Sequence, residues 1–207
     1  ASFGTLNKVS KKMKTIIATM ICSSLFITTV FQTVSGKTLD PVRDTRSQDL
    51  HYDWVYYILP AVLGSGGGVS WGFDRAKKSR TSVIQEASGN ALGTQVNFIR
   101  LKSNDTLVRV STKLQMEFSD NGQNSQPWRV GAFDKKTKQY FLRVGGTQGS
   151  PGYFTIEKDS FFYNFKFCQS ACKTCKVSCK NVGVYDDNGV RRLALSDVPF
   201  KVMFYML

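Results

Sequence analysis

Apolar and polar positions alternate along most of this chain with a period of two. In "LQMEF" (114–118), Leu114, Met116 and Phe118 fall on one side and Gln115 and Glu117 on the other. "YFLRV" (140–144), "YNFKF" (163–167) and "FKVMF" (200–204) repeat the pattern, and "WVYYILP" (54–60) is a β-branched and aromatic run that closes on proline. Successive side chains of a strand point to opposite faces, so this period predicts half-buried strands. Clusters of Gly, Ser, Asn and Asp punctuate them at 64–68, 88–90, 102–105, 119–125, 145–152 and 186–189. About twelve short strands at spacings of roughly 8–15 residues result, with no amphipathic helix. An all-β barrel or sandwich-like domain is expected.

The first 36 residues break this pattern. Lys8, Lys11, Lys12 and Lys14 precede an apolar run, Ile16 to Val30, that ends in "TVSG". A basic stretch, a short apolar core and small residues before a cut are the layout of a secretory signal peptide. The run is short for a membrane span and carries Ser23, Ser24, Thr28 and Thr29. The expected organisation is an upstream segment at 1–12, a signal peptide at 13–36 starting at Met13, and one mature domain at 37–207. Export to the extracellular space or the vacuole follows, with no membrane association after cleavage. Without the four presequence lysines the formal charge falls from +13 to +9. Lys and Arg are dispersed rather than blocked, so the charge favours acidic partners or cell-wall polymers only weakly and points to no nucleic acid.

Cleavage also removes Cys22, leaving Cys168, Cys172, Cys175 and Cys179 in the stretch "CQSACKTCKVSC". Structural zinc uses two separated thiolate pairs, and a redox dithiol opens a helix. Neither context exists here, and an even cysteine count in an oxidising compartment reads as disulfides. Four cysteines allow three pairings; the nested one, Cys168–Cys179 outside Cys172–Cys175, suits a hairpin. The single histidine, His51, sits in polar "SQDLHYDW" without the partners a nucleophilic triad needs. The carboxylates suggest no spaced acid/base pair. The run at 64–68 lacks the Gly-Lys-Ser/Thr ending of a phosphate loop and reads as a flexible turn. No enzyme, metal or cofactor is implied.

"DPVRDT" (40–45), "YYILPA" (56–61), "GSGGGVSWG" (64–72), "SVIQEASGNALGTQVNF" (82–98), "VRVSTKLQMEF" (108–118), "WRVGAFD" (128–134) and "GGTQGSPG" (145–152) occur in this order. That series resembles the plant Kunitz-type (soybean trypsin inhibitor-like) family over residues 40–204. The cysteine cluster followed by "VGVYDDNGVRRLALSDVPFKVMF" (182–204) is similar to its miraculin-like branch. The resemblance implies a β-trefoil of twelve strands in three pseudo-repeats, six forming a barrel and six capping it, and it implies the nested disulfide pairing. It also implies a monomer that binds a trypsin-like serine protease through the loop "FIRLKSNDT" (98–106). On that reading Arg100, Leu101, Lys102, Ser103 and Asn104 form the reactive site. Lys102 fills the primary specificity pocket, Ser103 follows the scissile bond, and Arg100 is the alternative for Lys102.

Three departures qualify the resemblance. The family's other disulfide would fall near Ser79 and Gly122, and neither is cysteine. The segment "YFTIEKDSFF" is shortened, which puts the regularity of that trefoil edge in question. Tyr52 stands near the position where family inhibitors carry a loop-bracing Asn. In addition, Asn104-Asp105-Thr106 is the only N-glycosylation sequon, so a glycan on Asn104 would obstruct a protease. The alternative is a non-inhibitory miraculin-like defence or storage protein, or a carbohydrate-binding trefoil. For the last, the lectin repeat Gln-x-Trp is matched once, at 126–128, and Trp128 is expected to begin a barrel strand instead.

Overall fold

The computed structural model describes residues 38–74, 79–101, 104–119, 126–145, 152–169 and 178–207. Segments 1–12 and 13–36, together with Lys102, Ser103, Cys172 and Cys175, lie outside the described residues. Twelve strands follow one another: β1 (Val55–Pro60), β2 (Val69–Asp74), β3 (Ser79–Gln85), β4 (Val96–Arg100), β5 (Leu114–Phe118), β6 (Gln126–Asp134), β7 (Gln139–Val144), β8 (Gly152–Asp159), β9 (Phe162–Gln169), β10 (Cys179–Asp187), β11 (Val190–Ser196) and β12 (Val202–Tyr205).

The pairing shows why this set is stable. β1 pairs with β4, β4 with β5, β5 with β8, β8 with β9, β9 with β12, and β12 with β1 again, all antiparallel. That is a closed six-stranded ring, which leaves no barrel strand with an open edge. The other six strands form three hairpins, β2–β3, β6–β7 and β10–β11. Their second strands meet in a triangle, because β3, β7 and β11 pair pairwise. Three repeats of barrel strand, hairpin and barrel strand define a β-trefoil, the fold expected from the sequence.

Alternation places the core. β1 and β5 follow a strict half-buried/buried rhythm, with Tyr56 and Ile58 inside from β1 and Leu114, Met116 and Phe118 inside from β5. Aromatic rings fill the centre: Phe204 meets Phe98 at 5.5 Å and Phe165 at 6.0 Å, and Trp128 meets Phe118 at 5.2 Å. Each such ring contributes roughly 1.5–3 kcal/mol on full burial. Trp128 therefore does not begin a barrel strand. It is the third residue of β6, a hairpin strand, and its indole is buried. Being buried, the ring of the "QPW" match has no surface to offer a sugar.

Two loop expectations change. Gly67 donates to the Glu86 carbonyl and Gly68 to the Ala91 carbonyl, both at 2.8 Å. A Cβ at Gly68 would fall 2.0 Å from the Leu92 carbonyl oxygen. The Gly-rich run is thus a close backbone packing site, not simply a flexible turn. The shortened segment forms a regular hairpin: eight consecutive residue pairs join β8 to β9, from Gly152↔Gln169 to Asp159↔Phe162. Its brevity is absorbed by a tight turn, with Ser160 in the left-handed region (φ 56°). At β10–β11 the "DDNG" cluster forms the expected turn, with two residues at its tip. Asn188 and Gly189 both take positive φ, which matches the right-handed strand twist. Cys168 and Cys179 face each other across β9–β10 and are disulfide-bonded, with Cα atoms 4.1 Å apart.

Candidate functional site

The β4–β5 connection, residues 101–113, is the candidate loop. Its two limbs rest on the N-terminal segment 39–54. On the leading limb, Val96 and Phe98 of β4 point inward and Ile99 outward. By the same alternation Arg100 falls on the inward side, where the strand ends. Its guanidinium lies 5.5 Å from the Tyr52 ring centroid, donates to Asp53 Oδ1 at 3.1 Å, and reaches the Asp105 carbonyl at 3.4 Å. Tyr52, Asp53, Asn97, Phe98, Ile99, Arg100 and Glu117 line a shallow cleft of about 300 Å³ there. Arg100 is therefore engaged with its own protein, which is unlike a side chain presented to a protease pocket. Leu101, by contrast, is exposed.

The trailing limb is tied more heavily. The Tyr52 amide donates to the Thr106 carbonyl at 3.0 Å, and the Val108 amide to the Leu50 carbonyl at 2.8 Å. Val42 and Val110 extend the ladder through Val108 and Asp40, and His51 and Leu107 form a bridge. Asp105 makes an Asx turn, its Oδ1 accepting the Leu107 amide at 3.0 Å, and its other oxygen accepts from Arg109 Nε. Those hydrogen bonds, the Arg109 one first, hold the Asp105 carboxyl below its ordinary pKa. Arg109 also donates to the Leu39 carbonyl at 2.8 Å. Asn104 itself is exposed, as is Thr106.

His51 is half-buried rather than simply on the surface: its ring stacks on Trp54 with centroids 4.3 Å apart, and its amide donates to the Tyr56 hydroxyl at 2.9 Å. Burial raises the Tyr56 pKa, and that amide contact partly opposes it. Among the described residues, no three His, Cys, Asp or Glu side chains gather as a metal site. The bracing role of Arg100, Asp53 and Tyr52 escaped sequence reasoning. A signal existed, since strand alternation puts Arg100 on the face of Phe98.

The barrel, the three hairpins and a loop held at both limbs define the class. The family model described as "Trypsin and protease inhibitor" (legume Kunitz) matches residues 42–205. This chain belongs to that plant Kunitz family. It is 38% identical over 172 residues to Kunitz trypsin inhibitor 5 of Arabidopsis thaliana, covering 80% of this chain and 85% of that one. It is 35% identical to miraculin of Synsepalum dulcificum, covering 80% and 82%. A Kunitz-type trypsin inhibitor from Cicer arietinum superposes with a TM-score of 0.71 at 27% identity, over 80% of this chain and 98% of that structure. The family model is described by protease inhibition, and Kunitz trypsin inhibitors are among the relatives.

Replacing Arg100 with Ala removes the cation–π contact and the Asp53 pair. Both are partly exposed, each worth up to about 1 kcal/mol. The expected outcome is faster proteolytic cleavage of the loop and, on the inhibitory reading proposed below, a roughly tenfold weaker inhibition constant against trypsin, since a looser loop loses more entropy on docking. Arg100→Lys restores part of the effect through the charge. Equal inhibition and equal loop cleavage by wild type and Arg100→Ala would remove the bracing role.

Proposed function

We propose that this chain is an exported serine protease inhibitor of trypsin-like specificity and not an enzyme. Lys102 enters the primary specificity pocket and Ser103 follows the scissile bond. The observation that carries the reading is the double tethering of the loop. Arg100 is held by Tyr52 and Asp53 on one side, and Asp105 and Thr106 are held by Arg109 and Tyr52 on the other. A protease binds tightly to a loop that arrives already ordered, because little conformational entropy remains to be lost. With Arg100 engaged, the anchor role falls to Lys102 of the same loop, and a lysine pairs with a carboxylate at the base of a trypsin-like pocket.

The test is an inhibition assay of the mature, non-glycosylated protein against a panel of serine and cysteine proteases. Stoichiometric, reversible inhibition of trypsin is expected; absence of inhibition at micromolar protein refutes the proposal. The second reading, a non-inhibitory miraculin-like role, draws on one observation. Asn104 is exposed within the sequon, where an attached glycan would screen Lys102 from an approaching enzyme. Inhibition that appears only after enzymatic deglycosylation supports that reading of the native protein.

A further inference from the structure

A second surface lies on the β6–β7 hairpin. Phe133 and Tyr140 are direct register partners, their rings 5.0 Å apart, and both are exposed, at 47% and 43%. The period-two pattern alone does not put them out together. A register shift between Val130 and Phe133 interrupts the ladder and re-aims the end of β6. One rung further on, Asp134 and Gln139 close the turn. Its residues Lys135, Lys136 and Lys138 are exposed. The one carboxylate at the turn is turned to the backbone: Asp134 Oδ1 accepts the Lys136 amide at 2.9 Å and the Thr137 amide at 3.2 Å. Among the described residues no ion pair involves these three lysines.

Tyr140 also borders a cleft of about 220 Å³. Val130, Phe167 and Leu195 supply its apolar lining, and Gln169, Ser178 and Lys180 its polar groups. Lys180 reaches Asp197 only at 3.9 Å, with both side chains exposed. The result is an aromatic pair beside an apolar-lined cleft, with cations on two sides. Ring faces suit the apolar faces of sugars. Ammonium groups are strongly hydrated point charges that suit single carboxylates, whereas bidentate phosphate recognition favours arginine, and the turn contains none. We propose that this hairpin and cleft bind an acidic polysaccharide, a polymer of uronate sugars. Lys135, Lys136, Lys138 and Lys180 pair with the carboxylates, and Phe133 and Tyr140 stack on the rings.

The experiment is equilibrium binding of the full mature chain to immobilised polygalacturonate. Fully methyl-esterified polygalacturonate, polyglutamate and single-stranded DNA serve as comparisons. Binding to polygalacturonate is expected to fall at least about tenfold between 0.1 M and 1 M salt, as the screening length shrinks from about 10 Å to about 3 Å. The triple variant Lys135→Glu, Lys136→Glu, Lys138→Glu and the separate variant Phe133→Ala, Tyr140→Ala are each expected to lose at least about tenfold, as is the esterified polymer. The lysines are exposed, so the triple variant should keep the wild-type melting temperature; the aromatic variant gives up a cross-strand ring pair and should melt somewhat lower while staying folded at the assay temperature. Four results overturn the proposal: no binding by the wild type at low salt, unchanged binding by the triple variant, unchanged binding by the aromatic variant, or binding of polyglutamate or DNA as tight as that of polygalacturonate.

Discussion

Lys102→Ala is expected to abolish inhibition of trypsin by the mature chain. An anchor side chain in a desolvated pocket carries a disproportionate share of binding energy, and its truncation costs about 4 kcal/mol or more, roughly a thousandfold in the inhibition constant. Part of that figure is the pocket carboxylate left unpaired. Lys102→Arg should retain inhibition, because the guanidinium reaches the same carboxylate. The outcome separates the loop's anchor from its brace. Arg100→Ala weakens inhibition about tenfold and accelerates loop cleavage, whereas Lys102→Ala removes the bound state itself. Should Lys102→Ala inhibit as well as wild type while Arg100→Ala does not inhibit at all, the roles of the two cations are reversed.

Trp128→Ala is expected to cost about 3–5 kcal/mol of folding stability, the range for emptying a large buried aromatic site. The ring is 1% exposed and touches Phe118, Phe154 and Phe165 at centroid distances of 5.2, 6.3 and 6.3 Å. These three aromatic neighbours come from three different strands, β5, β8 and β9, so the loss is felt across two repeats of the trefoil. For a domain of this size the melting temperature should drop by roughly 6–20 °C. Trp128→Phe should cost less, since the indole Nε1 has no hydrogen-bond partner among the described residues to lose. Differential scanning calorimetry of both variants decides the matter. A melting temperature unchanged in Trp128→Ala would mean the residue does not sit in the core and would reopen the lectin reading of "QPW".

Comparison with the sequence shows where local pattern sufficed. Strict alternation in "LQMEF" and "FKVMF" marks β5 and β12 because a barrel strand has one buried face, and burial selects residues two apart. "DDNG" marks its turn because only certain residues accept positive φ without cost. Arg100 was harder to read. Its role depends on Tyr52 and Asp53, which lie nearly fifty positions earlier and become neighbours only when β1 pairs with β4. The Gly-rich run 64–68 lies in the connection between β1 and β2, as its composition indicates, but its packing depends on residues distant in sequence. Gly66, Gly67 and Gly68 answer to the backbone of residues 86–92, which approaches too closely for a Cβ.

The chain by itself determined the all-β class, the approximate strand positions and the family. All of these rest on local periodicity, turn chemistry or motif order. Tertiary structure decided that Arg100 is held by Tyr52 and Asp53. It also decided that Trp128 belongs to the core, and that Phe133, Tyr140 and their neighbouring lysines share one surface. Those outcomes depend on strand register across the barrel and its hairpins. A single residue of register slip, or one bulge, moves a side chain from one face to the other.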